Sequence, residues 1–109
     1  MRQEDHIARY AADLAQACGM HPDLDLLHGV VTACGPLIYD PATEALTPQD
    51  LPAFRKSLIR KLGPLPAVDE AIQAAWETYE TPGPRYRAVL FYILVQHFGK
   101  QALFRPKAG

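Results

Sequence analysis

The sequence predicts an all-α fold, a compact single domain of about five helices. Apolar residues recur along most of the chain at the three- and four-residue spacing of amphipathic helices. Glycine and proline separate these apolar segments, as expected where helices end and begin. The length of 109 residues suits one domain, and 49% hydrophobic with 21% charged residues is typical of globular proteins. We therefore expect a single helical domain over residues 1–109.

The first three predicted helices lie in the N-terminal 62 residues. The first covers about residues 3–18 and the second about residues 23–34, with Leu24 among the inward-facing side chains of the second. We expect the apolar connector at residues 35–39 to fill the core. A turn-rich stretch follows, after which Asp50 is the expected N-cap of the third helix, over residues 50–62.

Two further helices are predicted over residues 67–79 and 85–98. The last long helix, 85–98, is apolar around almost its whole circumference, so we expect it to be central in the fold. The other helices could cover it on all sides. Alternatively, one of its apolar sectors stays open on the monomer and closes against a two-fold mate, because large exposed apolar patches usually mark interfaces. The possible interface residues are Phe91, Leu94, Val95 and Phe98.

The N-terminal residues, the length of the apolar runs and the number of cysteines favour a cytoplasmic protein. The first six residues are too polar and acidic to open a secretory signal peptide. The longest apolar run, residues 88–95, is far shorter than the ~20 residues that a membrane span needs. Two cysteines, Cys18 and Cys34, do not make a disulfide framework.

Four segments of the chain carry a family resemblance: residues 35–39, 59–63, 86–95 and 98–100. In order and spacing they resemble an uncharacterised family of short bacterial helical proteins, the domain of unknown function numbered 2853. The resemblance extends from the first helix to Phe104. It implies a compact helical fold and a bacterial source, and it implies no activity.

The only grouping with a hint of metal-ligand character consists of Cys18, His21, His28 and Cys34. Structural zinc sites present Cys and His in tight pairs, and His28 and Cys34 do not form such a pair. Both cysteines lie in line with apolar stripes, where a thiol behaves as a small hydrophobe. His97 lies in an apolar sector, at the core or its rim, without a partner for catalysis. We expect no metal, no cofactor and no enzymatic activity.

Charge is distributed unevenly. Residues 1–54 carry two basic and eight acidic residues, whereas residues 55–109 carry nine basic and four acidic ones. Such asymmetry is found in proteins with a basic binding surface, and also where two halves of one fold attract each other. The candidate contacts for an anion or a nucleic acid are Lys56, Arg60, Arg85 and Arg87.

These observations lead to two hypotheses of function. The first is a small non-enzymatic protein that acts through protein–protein association, either as a homodimer or as an adaptor. The alternative is a nucleic-acid-binding accessory protein that uses the basic C-terminal half.

Overall fold

Six α-helices make up most of the computed structural model, which describes residues 2–105. Two-residue strands pair antiparallel, with Ala45 opposite Tyr86. Short 3-10 segments precede or follow several helices. In chain order the helices are α1 (Gln3–Gln16), α2 (Leu24–Cys34), α3 (Pro41–Glu44), α4 (Leu51–Leu62), α5 (Val68–Thr78) and α6 (Arg87–His97); the strands are β1 (Ala45–Leu46) and β2 (Arg85–Tyr86); the 3-10 segments are Gly35–Tyr39, Pro48–Asp50 and Gln101–Leu103.

Local capping explains where several helices begin. The Asp23 carboxylate accepts a hydrogen bond from the backbone N–H of Leu26 at 3.1 Å and so caps α2. Asp50 is the N-cap residue of α4, as predicted, but its side chain does not cap that helix. The carboxylate accepts instead from the backbone N–H and the hydroxyl of Thr47, at 2.8 and 3.0 Å. These bonds close the preceding 3-10 turn and hold the pKa of Asp50 below its usual value. Gly63 ends α4 with a φ of 89°, which glycine adopts cheaply.

Helix α6 is central, as predicted, and packs against α1, α2, α3 and α5. It begins at Arg87 rather than at residue 85, because Arg85–Tyr86 is extended and pairs with β1. The predicted fold class is confirmed. The structure adds the short helix α3 and the ladder of β1 and β2, which the apolar periodicity did not predict. The predicted place of His97 at the core or its rim is wrong: His97 is exposed at the end of α6, where its ring meets that of Phe98 at 4.8 Å.

The second apolar sector of α6 belongs to the core. Phe91 is 3% exposed, and Leu94 and Val95 are fully buried. The ring of Phe91 meets those of Phe54 and Phe104 edge-on, so α4 and the C-terminal segment cover this side of the helix. Of the two alternatives that the sequence left open, the covered helix is the one observed, and an open sector at these three residues is contradicted. Phe98 is half-buried.

The C-terminal segment crosses α2 at Gly29. A Cβ atom added at Gly29 would lie 1.8 Å from the carbonyl oxygen of Phe104, so the two backbones approach more closely than any side chain allows. The guanidinium of Arg105 reinforces the crossing through an ion pair with Asp23 at 2.6 Å. This crossing holds residues 101–105 on the outer side of α2.

Replacement of Gly29 by alanine should lower the free energy of unfolding by about 1–2 kcal/mol, because overpacking at the Phe104 carbonyl outweighs the gain in helix propensity of about 1 kcal/mol. Urea unfolding measures the change. The matched control is His28→Ala, an exposed site on the same helix, which should stay within about 0.5 kcal/mol of the parent. A more stable Gly29→Ala variant would contradict the close approach.

Candidate functional site

Apolar side chains remain exposed on the outer side of α2. Leu24 and Leu103 are each 59% exposed, far more than the leucines of the core. Leu24 was predicted to face inward. The buried sector of α2 is centred on Leu27, Val30 and Cys34, which leaves Leu24 at the edge of that sector, in the first turn of the helix.

Leu24 lies in a shallow groove between α1 and α2. We call it the α1–α2 groove; it has a volume of about 410 Å³ and is lined by Glu4, Ile7, Ala8, Leu24, Asp25 and His28. The two helices run antiparallel, because the side-chain amide of Gln3, at the start of α1, donates to the hydroxyl of Thr32, near the end of α2. The groove is thus the outer seam of a helical hairpin.

A second hollow adjoins the groove across His28. It has a volume of about 440 Å³ and is lined by His28, Gly29, Thr32, Ala33, Leu103 and Phe104. The apolar surface therefore continues from α1, over α2, to the C-terminal segment.

The charges at the groove are acidic. Glu4 and Asp25 are both exposed, and each lies in the first turn of its helix. Because α1 and α2 are antiparallel, these first turns lie at opposite ends of the groove. Among the six lining residues there is no lysine or arginine. The surface is an apolar seam with a carboxylate at each end.

A buried polar cluster lies elsewhere on α1. The Oε2 atom of Glu44 accepts hydrogen bonds from the hydroxyl of Tyr10 at 2.5 Å and from Nδ1 of His6 at 2.9 Å. His6 and Glu44 are 4% and 8% exposed, and a guanidinium nitrogen of Arg9 lies 3.7 Å from the same oxygen. Burial raises the pKa of Tyr10, and the Glu44 carboxylate raises it further, so the phenol stays protonated.

This cluster ties α1 to α3. Among the buried side-chain nitrogen and oxygen atoms of residues 2–105, Nε2 of His6 lacks a hydrogen-bond partner. The ring of Tyr39 packs against the imidazole at 5.1 Å and covers it. The i, i+4 spacing of His6 and Tyr10 was the available sequence signal, but their partner Glu44 is more than 30 residues away.

A second hydrogen-bonded pair joins α1 to the end of α5. The Tyr79 hydroxyl donates to Oδ2 of Asp13 and accepts from the backbone N–H of Tyr86 at 3.2 Å. Tyr79 is fully buried, and burial together with the Asp13 hydrogen bond raises its pKa. The hydroxyls of Tyr10 and Tyr79 thus each form a hydrogen bond that joins α1 to another part of the fold.

The four basic residues that were predicted to contact an anion or a nucleic acid have different environments. Lys56 and Arg60 are exposed on α4. In contrast, Nε of Arg85 donates to the carbonyl of Tyr79 at 2.6 Å, and Nε of Arg87 donates to the carbonyl of Thr43 at 2.8 Å. Arg85 and Arg87 therefore stabilise the fold, and an anion-binding hypothesis depends on Lys56 and Arg60.

Both cysteines are free thiols, Cys34 buried and Cys18 half-buried. Burial raises the pKa of each to about 11, so neither is a thiolate at neutral pH. In the part of the chain that the structure describes, no three His, Cys, Asp or Glu side chains are grouped so that they could hold a metal ion.

No helix within residues 2–105 is long and apolar enough to cross a membrane.

Comparison with known proteins identifies a family without a known activity. A search of curated proteins finds no match to the chain. The family model described as "Protein of unknown function (DUF2853)" matches residues 9–102, which is most of the sequence. The chain therefore belongs to the DUF2853 family of proteins of unknown function.

Proposed function

We propose that this protein acts as an adaptor: it binds another protein, without catalysis, through the α1–α2 groove. The observation that carries the proposal is Leu24, 59% exposed on a seam whose apolar lining continues across α2 to Leu103. Fully burying an exposed leucine side chain contributes about 1.5–3 kcal/mol. Leu24 retains 59% of its exposure, so a partner that covers it would gain about 1–2 kcal/mol. Grooves between helices are a common seat for the apolar face of a partner helix.

The buried polar side chains and the two thiols support a non-enzymatic role. Tyr10, Glu44 and Tyr79 are buried and engaged with one another or with neighbouring elements. The two thiols are protonated at neutral pH. We also propose a bacterial cytoplasmic location, since a reducing compartment maintains free thiols.

The acidic ends of the groove favour a different protein over a second copy as the partner. In a two-fold pairing the same surface patch meets itself. Glu4 and Asp25 of one protomer would then approach the same carboxylates of the other, and like charges at an interface are unfavourable. We therefore expect sedimentation equilibrium at micromolar concentration to give the monomer mass of 12.1 kDa. A dimer that Leu24→Glu dissociates would assign the groove to self-association and overturn the adaptor proposal.

Site-specific photocrosslinking in the producing cells tests the proposal directly. A photoreactive amino acid at position 24 should give a discrete adduct with one protein, whereas the same amino acid at exposed Ala53 on α4 should not. The adduct should also disappear when Ala8→Asp is added, because that change places a charge at an exposed position of the same groove. Adducts of equal yield from positions 24 and 53, or an adduct that survives Ala8→Asp, would refute binding through the groove.

A further inference from the structure

We infer that the partner presents an amphipathic helix with two basic side chains about two turns apart, on either side of an apolar residue. This inference rests on the proposed function and specifies the partner for the same groove.

The shape of the groove suits a helix. Its walls are α1 and α2. Ile7, Ala8 and His28 lie between the two acidic ends, and Leu24 lies next to Asp25 at one of these ends. A third helix laid along this seam would complete a small bundle, in which side-chain ridges of one helix fill the groove between two others. The small side chain of Ala8 leaves room in the middle of the groove for a large apolar side chain of the partner.

The positions of the carboxylates set the charge pattern. Glu4 immediately follows Gln3, which is bonded to Thr32 of α2, so one acidic end of the groove is level with Thr32. Asp25 precedes Thr32 by seven positions, and at 1.5 Å per residue this separates the two ends by about 10 Å. On a partner helix the same length corresponds to basic residues at positions i and i+7. The apolar residue at i+3 or i+4 then faces Ile7 and Ala8, about half-way between the acidic ends.

Synthetic helical peptides with one shared apolar face test the inference. The first carries lysine at i and i+7, the second carries glutamate there, and the third carries both lysines on the opposite face. Each is titrated into isotope-labelled protein and followed by NMR. We expect the first peptide to shift the resonances of Ile7, Ala8 and Leu24, and to bind about tenfold more tightly than the second.

Charge reversal on the protein supplies the matched comparison. Glu4→Lys with Asp25→Lys should invert the preference, so that the glutamate peptide binds more tightly. Glu70→Lys with Glu80→Lys makes the same change in net charge at exposed sites outside the groove and should leave the preference unchanged. Equal binding of the first two peptides in the groove would overturn the charge pattern but retain the groove as a protein-binding surface. If no peptide shifts the groove resonances, the inference fails, and the crosslinking at position 24 decides the proposed function independently.

Discussion

Replacement of Phe91 by glutamate should abolish folding. The Phe91 side chain is 3% exposed and packs edge-on against Phe54 and Phe104, at ring distances of 6.5 and 5.4 Å. Loss of a core phenylalanine costs about 3–5 kcal/mol, and an unpaired buried carboxylate adds several more. Because small domains are stabilised by about 5–15 kcal/mol in total, we expect loss of the far-UV circular dichroism of the helices and of any cooperative thermal transition.

Two further variants show whether this effect arises from the core. Phe91→Leu keeps the site apolar and should remain folded with reduced stability. Phe98→Glu changes a half-buried residue just past the end of α6 and should also give a folded protein. If Phe91→Glu instead gave a folded monomer from a parent that dimerises, Phe91 would lie at a subunit interface and the packing described here would be contradicted.

Replacement of Glu44 by alanine should lower the free energy of unfolding by about 2–4 kcal/mol, because each buried hydrogen-bond donor left without its acceptor costs about 1–3 kcal/mol. The change leaves the hydroxyl of Tyr10 and Nδ1 of His6 without their acceptor in a buried site. Chemical denaturation monitored by the fluorescence of Trp76 measures the loss. Glu44→Gln retains an accepting oxygen in a side chain of the same shape and should cost less than Glu44→Ala.

A double-mutant cycle separates the hydrogen-bonded cluster from simple loss of packing. Tyr10→Phe removes one donor to Glu44 and keeps the buried ring. The combined Tyr10→Phe and Glu44→Ala variant should then be more stable than the sum of the single changes predicts, by at least about 0.5 kcal/mol. Additive losses would mean that Glu44 does not act through Tyr10.

Local sequence determined the five longest helices. Apolar residues at three- and four-residue spacing specify which segments form helices with one buried face. Asp23 before α2 and Gly63 after α4 mark where a helix begins or ends. The same information predicted that the last long helix is central, because it offers no polar face to solvent. These features depend on residues within a few positions of one another, which is why a single sequence reveals them.

Contacts between distant residues decided the rest. The carboxylate of Glu44 meets His6 across 38 positions, and Asp13 meets Tyr79 across 66, spacings that no periodicity encodes. Pairing between β1 and β2 moved the start of α6 to Arg87, since extended backbone at Arg85–Tyr86 gained hydrogen bonds from a strand far along the chain.

The candidate site shows the same division. From the sequence, Leu24 was predicted to face inward, and Glu4 and Asp25 fall near the predicted starts of the first two helices. Only the packing of α1 against α2 placed these three residues on one groove and left Leu24 uncovered. Conversely, packing by α4 and the C-terminal segment covered the sector of α6 that its sequence left available for a partner. Helical periodicity fixes which side chains share a face, whereas the exposure of that face depends on the elements that fold against it.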